Sequence, residues 1–178
     1  MSVQLLIEQL LTPKIPFLYH ISFRNNLEGI WQPKMPDDMG FIDNVNHIKG
    51  FAEPDINRIC CAPSIEKCYQ AIYPNISRLV EVNKYPSLDF YVYTPILKGD
   101  ETIVTPEELH SKRMVHDAFI TSEYNILTPT FMKLYWKIRI PSTLNNPDKF
   151  YYPFNDKSKE KLFVPSGVKY TILKKYGV

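Results

Sequence analysis

Fifteen prolines and only six glycines in 178 residues set the first constraint on this chain. Proline has no backbone N–H and a fixed φ, so it sits at element ends and disfavours helix interiors and central strands. Spread from Pro13 to Pro165, these residues predict many short elements. The shortage of glycine argues against a Gly-rich phosphate-binding loop.

Apolar residues make up 44% of the chain and charged residues 22%, proportions of a folded globule. The length suits one domain over 1–178 with a single sizeable core. No internal repeat or second domain is expected. Twelve Tyr and ten Phe suit half-buried strand faces and ligand-lined clefts. The net charge is +2, and the basic run Lys157, Lys159, Lys161, Lys174 and Lys175 is interrupted by Asp156 and Glu160. It reads as a solvated tail, which neither announces a nucleic-acid partner nor excludes one. Cys60, Cys61 and Cys68, an odd set with two adjacent, fit buried thiols in a reducing compartment. The opening MSVQLLIEQLLTPK lacks a basic start and is too short to span a bilayer. The expectation is a cytoplasmic protein with no membrane partner. The Lys, Ile, Asn and Tyr bias resembles low-GC bacterial or phage coding sequence.

Periodicity predicts a helix over 3–11, a strand over 17–22 (FLYHIS) and a helical turn at Leu27–Trp31. A long loop follows from Gln32 to Asp55. The run NRICCA (57–62) reads as a strand. Pro63-Ser64 then start a helix with Ser64 as N-cap. Its buried stripe is Ile65, Cys68, Tyr69 and Ile72, and Pro74 is expected to stop it. LDFYVYTPI (88–96) alternates as a strand, and Thr105-Pro106-Glu107-Glu108 has capping-box spacing. The stretch 114–140 is strand-like, broken at Thr128-Pro129. Leu134, Trp136, Ile138 and Ile140 share one face, and Tyr135, Lys137 and Arg139 the other. Residues 142–161 read as a surface excursion, and 161–176 as closing strands.

Three segments could carry chemistry. His20 and Ser22 fall on one face of the first strand; an edge-of-core histidine is the plain alternative. The unit RICCAPSIEKCYQAIY is a strand, a turn and a helix bearing Tyr69 and Tyr73. Its helix start, at Ser64, can receive an anion or amide, or serve packing alone. Glu123, in ITSEYNILTP, is a solvated turn residue or a carboxylate aimed into a cleft.

In order and character these segments resemble the H-Y-E branch of the ADP-ribosyltransferase superfamily, the branch of poly(ADP-ribose) polymerases and diphtheria-type toxins. YHIS stands for the first motif, RICCAPS for the second, and SEYNILTPTFMKLYWKIRI for the glutamate-bearing strand and its partner. The likeness covers roughly residues 17–140. It implies an α+β fold with a split antiparallel β-core and a few short helices. It also implies NAD as substrate, no metal, and mono-ADP-ribosyl transfer to a macromolecular acceptor, protein before nucleic acid. His20 and Ser22 would hydrogen-bond the adenosine ribose and the nicotinamide amide. Tyr69 or Tyr73 would face the nicotinamide ring, and Glu123 would take the nicotinamide-ribose 2′-hydroxyl.

Three positions depart from the family pattern. Ile21 follows His20 where the family has Gly, Cys60 replaces the strand Tyr, and Thr121 stands two places before Glu123. An unusual acceptor and a fold without activity both stay open. A non-catalytic phage or mobile-element protein that blocks a host or defence enzyme is the alternative. A cysteine hydrolase, using Cys60 or Cys61 with His20 or His116, is a weaker one, because nothing adjacent lowers a thiol pKa. His20, His47, His110 and His116 show no metal-ligand spacing.

Overall fold

A computed structural model describes residues 14–35, 56–112, 114–115, 118–142, 149–151 and 162–177. The expected helix over 3–11, most of the 32–55 loop, His47, His116 and the Lys157–Lys161 run lie outside them.

In chain order the elements are β1 (His20–Ser22), β2 (Gly29–Trp31), β3 (Ile59–Cys61), α1 (Ile65–Asn83), β4 (Ser87–Ile96) and β5 (Ile103–Val104). They continue with α2 (Pro106–Ser111), α3 (Ala118–Thr121), β6 (Tyr124–Ile126) and β7 (Thr130–Pro141). The last are β8 (Lys149–Tyr151), β9 (Leu162–Val164) and β10 (Thr171–Lys175). The fold is mixed α+β, and every strand pairing among the described residues is antiparallel.

The larger sheet runs β1-β4-β7-β10, with β2 also on β7; the smaller runs β3-β6-β5. Among the described residues, two isolated bridges link the segments that flank them: Tyr19 to Ala62, through paired hydrogen bonds of 2.8 and 2.9 Å, and Lys34 to Arg58, through bonds of 3.3 and 2.9 Å. Helix α1 covers one face of the larger sheet, packing Ile65, Cys68, Tyr69 and Ile76 against Ile21, Phe90, Val92, Ile138 and Ile140. The other face carries a second core, in which Leu18, Tyr93, Met132 and Leu134 meet Ile59, Cys61 and Ile126.

Local signals hold where the reason is local. Ser64 caps α1, accepting from the Lys67 N–H at 3.2 Å. Thr105 and Glu108 complete the capping box of α2. Other expectations change. The helix continues past Pro74 to Asn83, because apolar contacts on both sides of the proline, up to Ile76, outweigh one missing hydrogen bond. Gly29–Trp31 is a strand on β7 and not a helical turn. Residues 118–121 form a short helix inside the stretch read as strand. Residues 149–151, inside the expected excursion, pair with β9 as a strand.

The β7 pattern changes for a physical reason. Val92 pairs with Trp136 but Tyr93 pairs with Leu134, so Tyr135 is an extra residue, a β-bulge. Leu134 therefore belongs to the core under the smaller sheet, while Trp136, Ile138 and Ile140 belong to the core under α1. The four do not share one face.

Candidate active site

The two sheets part immediately beyond the Tyr19–Ala62 bridge. Hydrogen-bonding groups alternate along a strand, so an unbroken ladder would next join Ile21 to Cys60. The ladder stops there. The Cys60 carbonyl is met instead by the His20 ring, Nδ1 to O at 2.9 Å. A cleft of about 350 Å³, counting its open mouth, occupies this fork. His20 and Ile21 line it from β1, and Cys60, Cys61 and Ala62 from β3 and its end. Cys68, Ala71 and Ile72 of α1 close one side, and Glu123 another.

His20 is held at both ends. With Nδ1–H donating to the Cys60 carbonyl, the neutral ring keeps Nε2 as an acceptor. The imidazole and the Trp31 ring meet in a T-shaped pair, centroids 4.9 Å apart at 83°. Burial pulls its pKa below the ordinary 6.5, although the bond to Cys60 acts the other way. The imidazole is thus neutral at neutral pH.

Glu123 reaches the cleft through a helix ending. Ser122 adopts a left-handed φ of 51° after α3. The Glu123 N–H then returns to the Ala118 carbonyl at 3.2 Å, the six-to-one bond that ends many helices. Strand β6 starts at the next residue, with Tyr124 opposite Cys61 and Asn125 opposite Cys60. Period two puts Glu123, Asn125 and Cys60 on one face of the smaller sheet. Lys67 of α1 donates to the Ile120 carbonyl and ties α3 to that helix.

The Cys60 thiol is the centre of a small polar group. Burial pushes its pKa well up, the nearby Glu123 carboxylate adds to the rise, and Arg58 opposes it. Burial also raises Cys61 well above 9.0, with Cys68 adding to it, and takes Cys68 to about 12. Cys68 donates to the Tyr19 carbonyl at 3.2 Å. All three thiols therefore stay protonated at neutral pH, which speaks against a cysteine nucleophile. Among the described residues no group of three His, Cys, Asp or Glu is placed to hold a metal ion. No helix among them is long and apolar enough to cross a membrane.

Of the residues singled out in the sequence, His20 and Glu123 are brought to one cleft. Cys60 and Cys61 line it too, while Ser22, Ser64, Tyr69 and Tyr73 are placed elsewhere. Ser22 accepts from the Arg24 N–H at 3.2 Å and is not on the cleft wall. Ser64 is occupied as the cap of α1. Tyr69 is 1% exposed and packs in the core against Phe90 and Tyr73. Tyr73 lies partly buried against that same core. Neither phenol ring lines the cleft, so ring stacking by Tyr69 or Tyr73 is not what this geometry offers. The stripe spacing already assigns Tyr69 to the buried face of the helix. What the sequence does not reveal is that all three cysteines contribute to the wall of one cleft, since that depends on where β1, β3 and α1 meet. No family model, curated protein or solved structure matches the chain.

Proposed function

We propose that the fork between the two sheets binds NAD and that the protein transfers its ADP-ribose to a macromolecular acceptor. The observation that carries this reading is the convergence of His20 and Glu123, 103 positions apart in sequence (123 − 20), on the walls of one cleft. Glycosidic cleavage builds positive charge on the ribose, and a fixed carboxylate beside it stabilises that state.

The residues divide the work. Glu123 accepts a hydrogen bond from the nicotinamide-ribose 2′-hydroxyl and opposes the developing charge. The C–N bond breaks with its electron pair leaving on nicotinamide. The acceptor's nucleophilic atom forms the new bond to the anomeric carbon, and its proton passes to Glu123. His20, neutral and oriented by the Cys60 carbonyl, accepts a ribose hydroxyl through Nε2. The apolar wall of Ile21, Ala62 and Ile72 suits a flat nicotinamide ring. The nicotinamide end of the dinucleotide enters the cleft, and the rest extends beyond its mouth.

Incubation with adenylate-labelled NAD and a cell lysate tests this. Label should pass to macromolecules as nicotinamide is released, and Glu123→Gln should lower the rate by at least about a hundredfold with the melting temperature retained. Full turnover in that variant would overturn the assignment.

The departure at the cleft favours one second reading. Ile21 is 6% exposed and stands where the resembling family keeps a glycine for close approach of the ligand. A non-catalytic binding protein needs no such approach. Its biological effect would survive Glu123→Gln unchanged.

A further inference from the structure

Helix α1 packs over Leu88, Phe90, Val92, Ile138 and Ile140, and Tyr19 and Trp136 lie partly buried at the border of that core. There, Phe17 packs edge-on to Tyr19 at 5.0 Å and lies 6.0 Å from Tyr135. Tyr19 stacks on Trp136 at 6.1 Å, and Tyr135 meets Trp136 at 4.5 Å. The bulge is what permits the last contact, because consecutive residues of a regular strand point to opposite faces. Tyr170 lies close enough to Tyr19 to raise its pKa, a smaller effect than burial. Phe17 is 57% exposed and Tyr170 40%, so this ring cluster meets solvent.

Charge decides what suits it. The segments carrying the rings, 14–23, 130–141 and 162–177, hold Lys14, Lys133, Lys137, Arg139, Lys169, Lys174 and Lys175 and no Asp or Glu. Asp89 on β4 engages Lys137 and Arg139 on the far side. Glu66 accepts from the Gly167 N–H at 2.8 Å. Lys14, three residues before Phe17, Lys169, next to Tyr170, and Lys175 are exposed, and Lys175 sits directly opposite Trp136 across the β7–β10 ladder. An apolar protein surface would gain nothing from such one-signed flanks. A polyanion with flat, stackable groups gains from both the rings and the charges.

We propose that this aromatic face binds single-stranded nucleic acid, with bases on Phe17, Tyr170 and their neighbours and phosphates on Lys14, Lys169 and Lys175. The inference does not depend on what the cleft binds.

Fluorescence anisotropy with labelled fifteen-nucleotide oligothymidylate and oligouridylate tests it. Binding of a single strand, weakening steeply with added salt, is expected. Phe17→Ala with Tyr170→Ala should weaken it at least about tenfold. Lys169→Gln with Lys175→Gln should reduce the salt slope, and its exposed positions keep the fold intact should the ring variant be unstable. No binding to either oligonucleotide overturns the proposal, as does binding that both variants leave unchanged. Self-association lost in the ring variant, with no oligonucleotide bound, makes the face a contact between copies and equally overturns it.

Discussion

His20 sits where a neutral ring is favoured over a charged one. Burial holds its pKa below the ordinary 6.5, so the unfolded chain binds that proton more readily than the folded one. The resulting stability is fully present above about pH 6.5 and is lost as pH falls through the folded value. Replacing it by glutamine keeps a donor for the Cys60 carbonyl and removes the titration. Thermal melting from pH 8 down to pH 5 should therefore fall less steeply in His20→Gln than in the parent. Equal slopes would mean that the ring is solvated. At this scale His20 stands out among apolar neighbours, whereas Glu123, between Ser122 and Tyr124, is singled out only by the order of the three segments. The sequence also put forward Ser22, Ser64, Tyr69 and Tyr73. The structure commits Ser64 to a helix end, Tyr69 to the core and Ser22 to the Arg24 amide.

Elements set by neighbouring residues were legible, and elements set by distant partners were not. The Ser64 cap needs only the Lys67 amide three residues on. Ser64→Ala should cost about 1 kcal/mol in urea unfolding, without changing ligand affinity. A much larger loss of affinity than of stability would return Ser64 to the site. The run of α1 through Pro74 depends on apolar contacts with the sheet and cannot be read from the proline itself. Gly29–Trp31 is a strand only because β7 lies beside it. The divided faces of β7 come from a bulge that β4 imposes. A period-two reading of β7 alone cannot contain it.

Two large cores lie on opposite faces of one β4–β7 ladder, beside a small third one of Leu109, Val115 and Ala118. Ile138 is fully buried under α1, and Met132 is fully buried toward the smaller sheet. Each replaced by alanine should cost about 2–5 kcal/mol. Because the cores share a ladder, urea unfolding should stay a single transition in both variants. Two separated transitions would show that the sheets melt independently. The mixed α+β class is legible in the sequence, because alternating strand patterns and capped helix starts share one chain, but the division of the strands between sheets is not. The fork itself opens beyond the Tyr19–Ala62 bridge, a long-range pairing that no local pattern encodes.

The surplus residue in β7 bears on which length changes this gene could tolerate. Removing Tyr135 brings Leu134 and Trp136 together, opposite Tyr93 and Val92, so each side chain keeps its compartment. The excision forfeits the Tyr176 N–H bond to the Tyr135 carbonyl and some local twist. Removing Lys137 has the opposite result: either Trp136 or Ile138 must turn outward, and one compartment empties. Soluble yield and far-ultraviolet circular dichroism should therefore be largely kept in the first excision and lost in the second. A central strand, ordinarily the least forgiving place for an indel, would have one position where shortening is survivable.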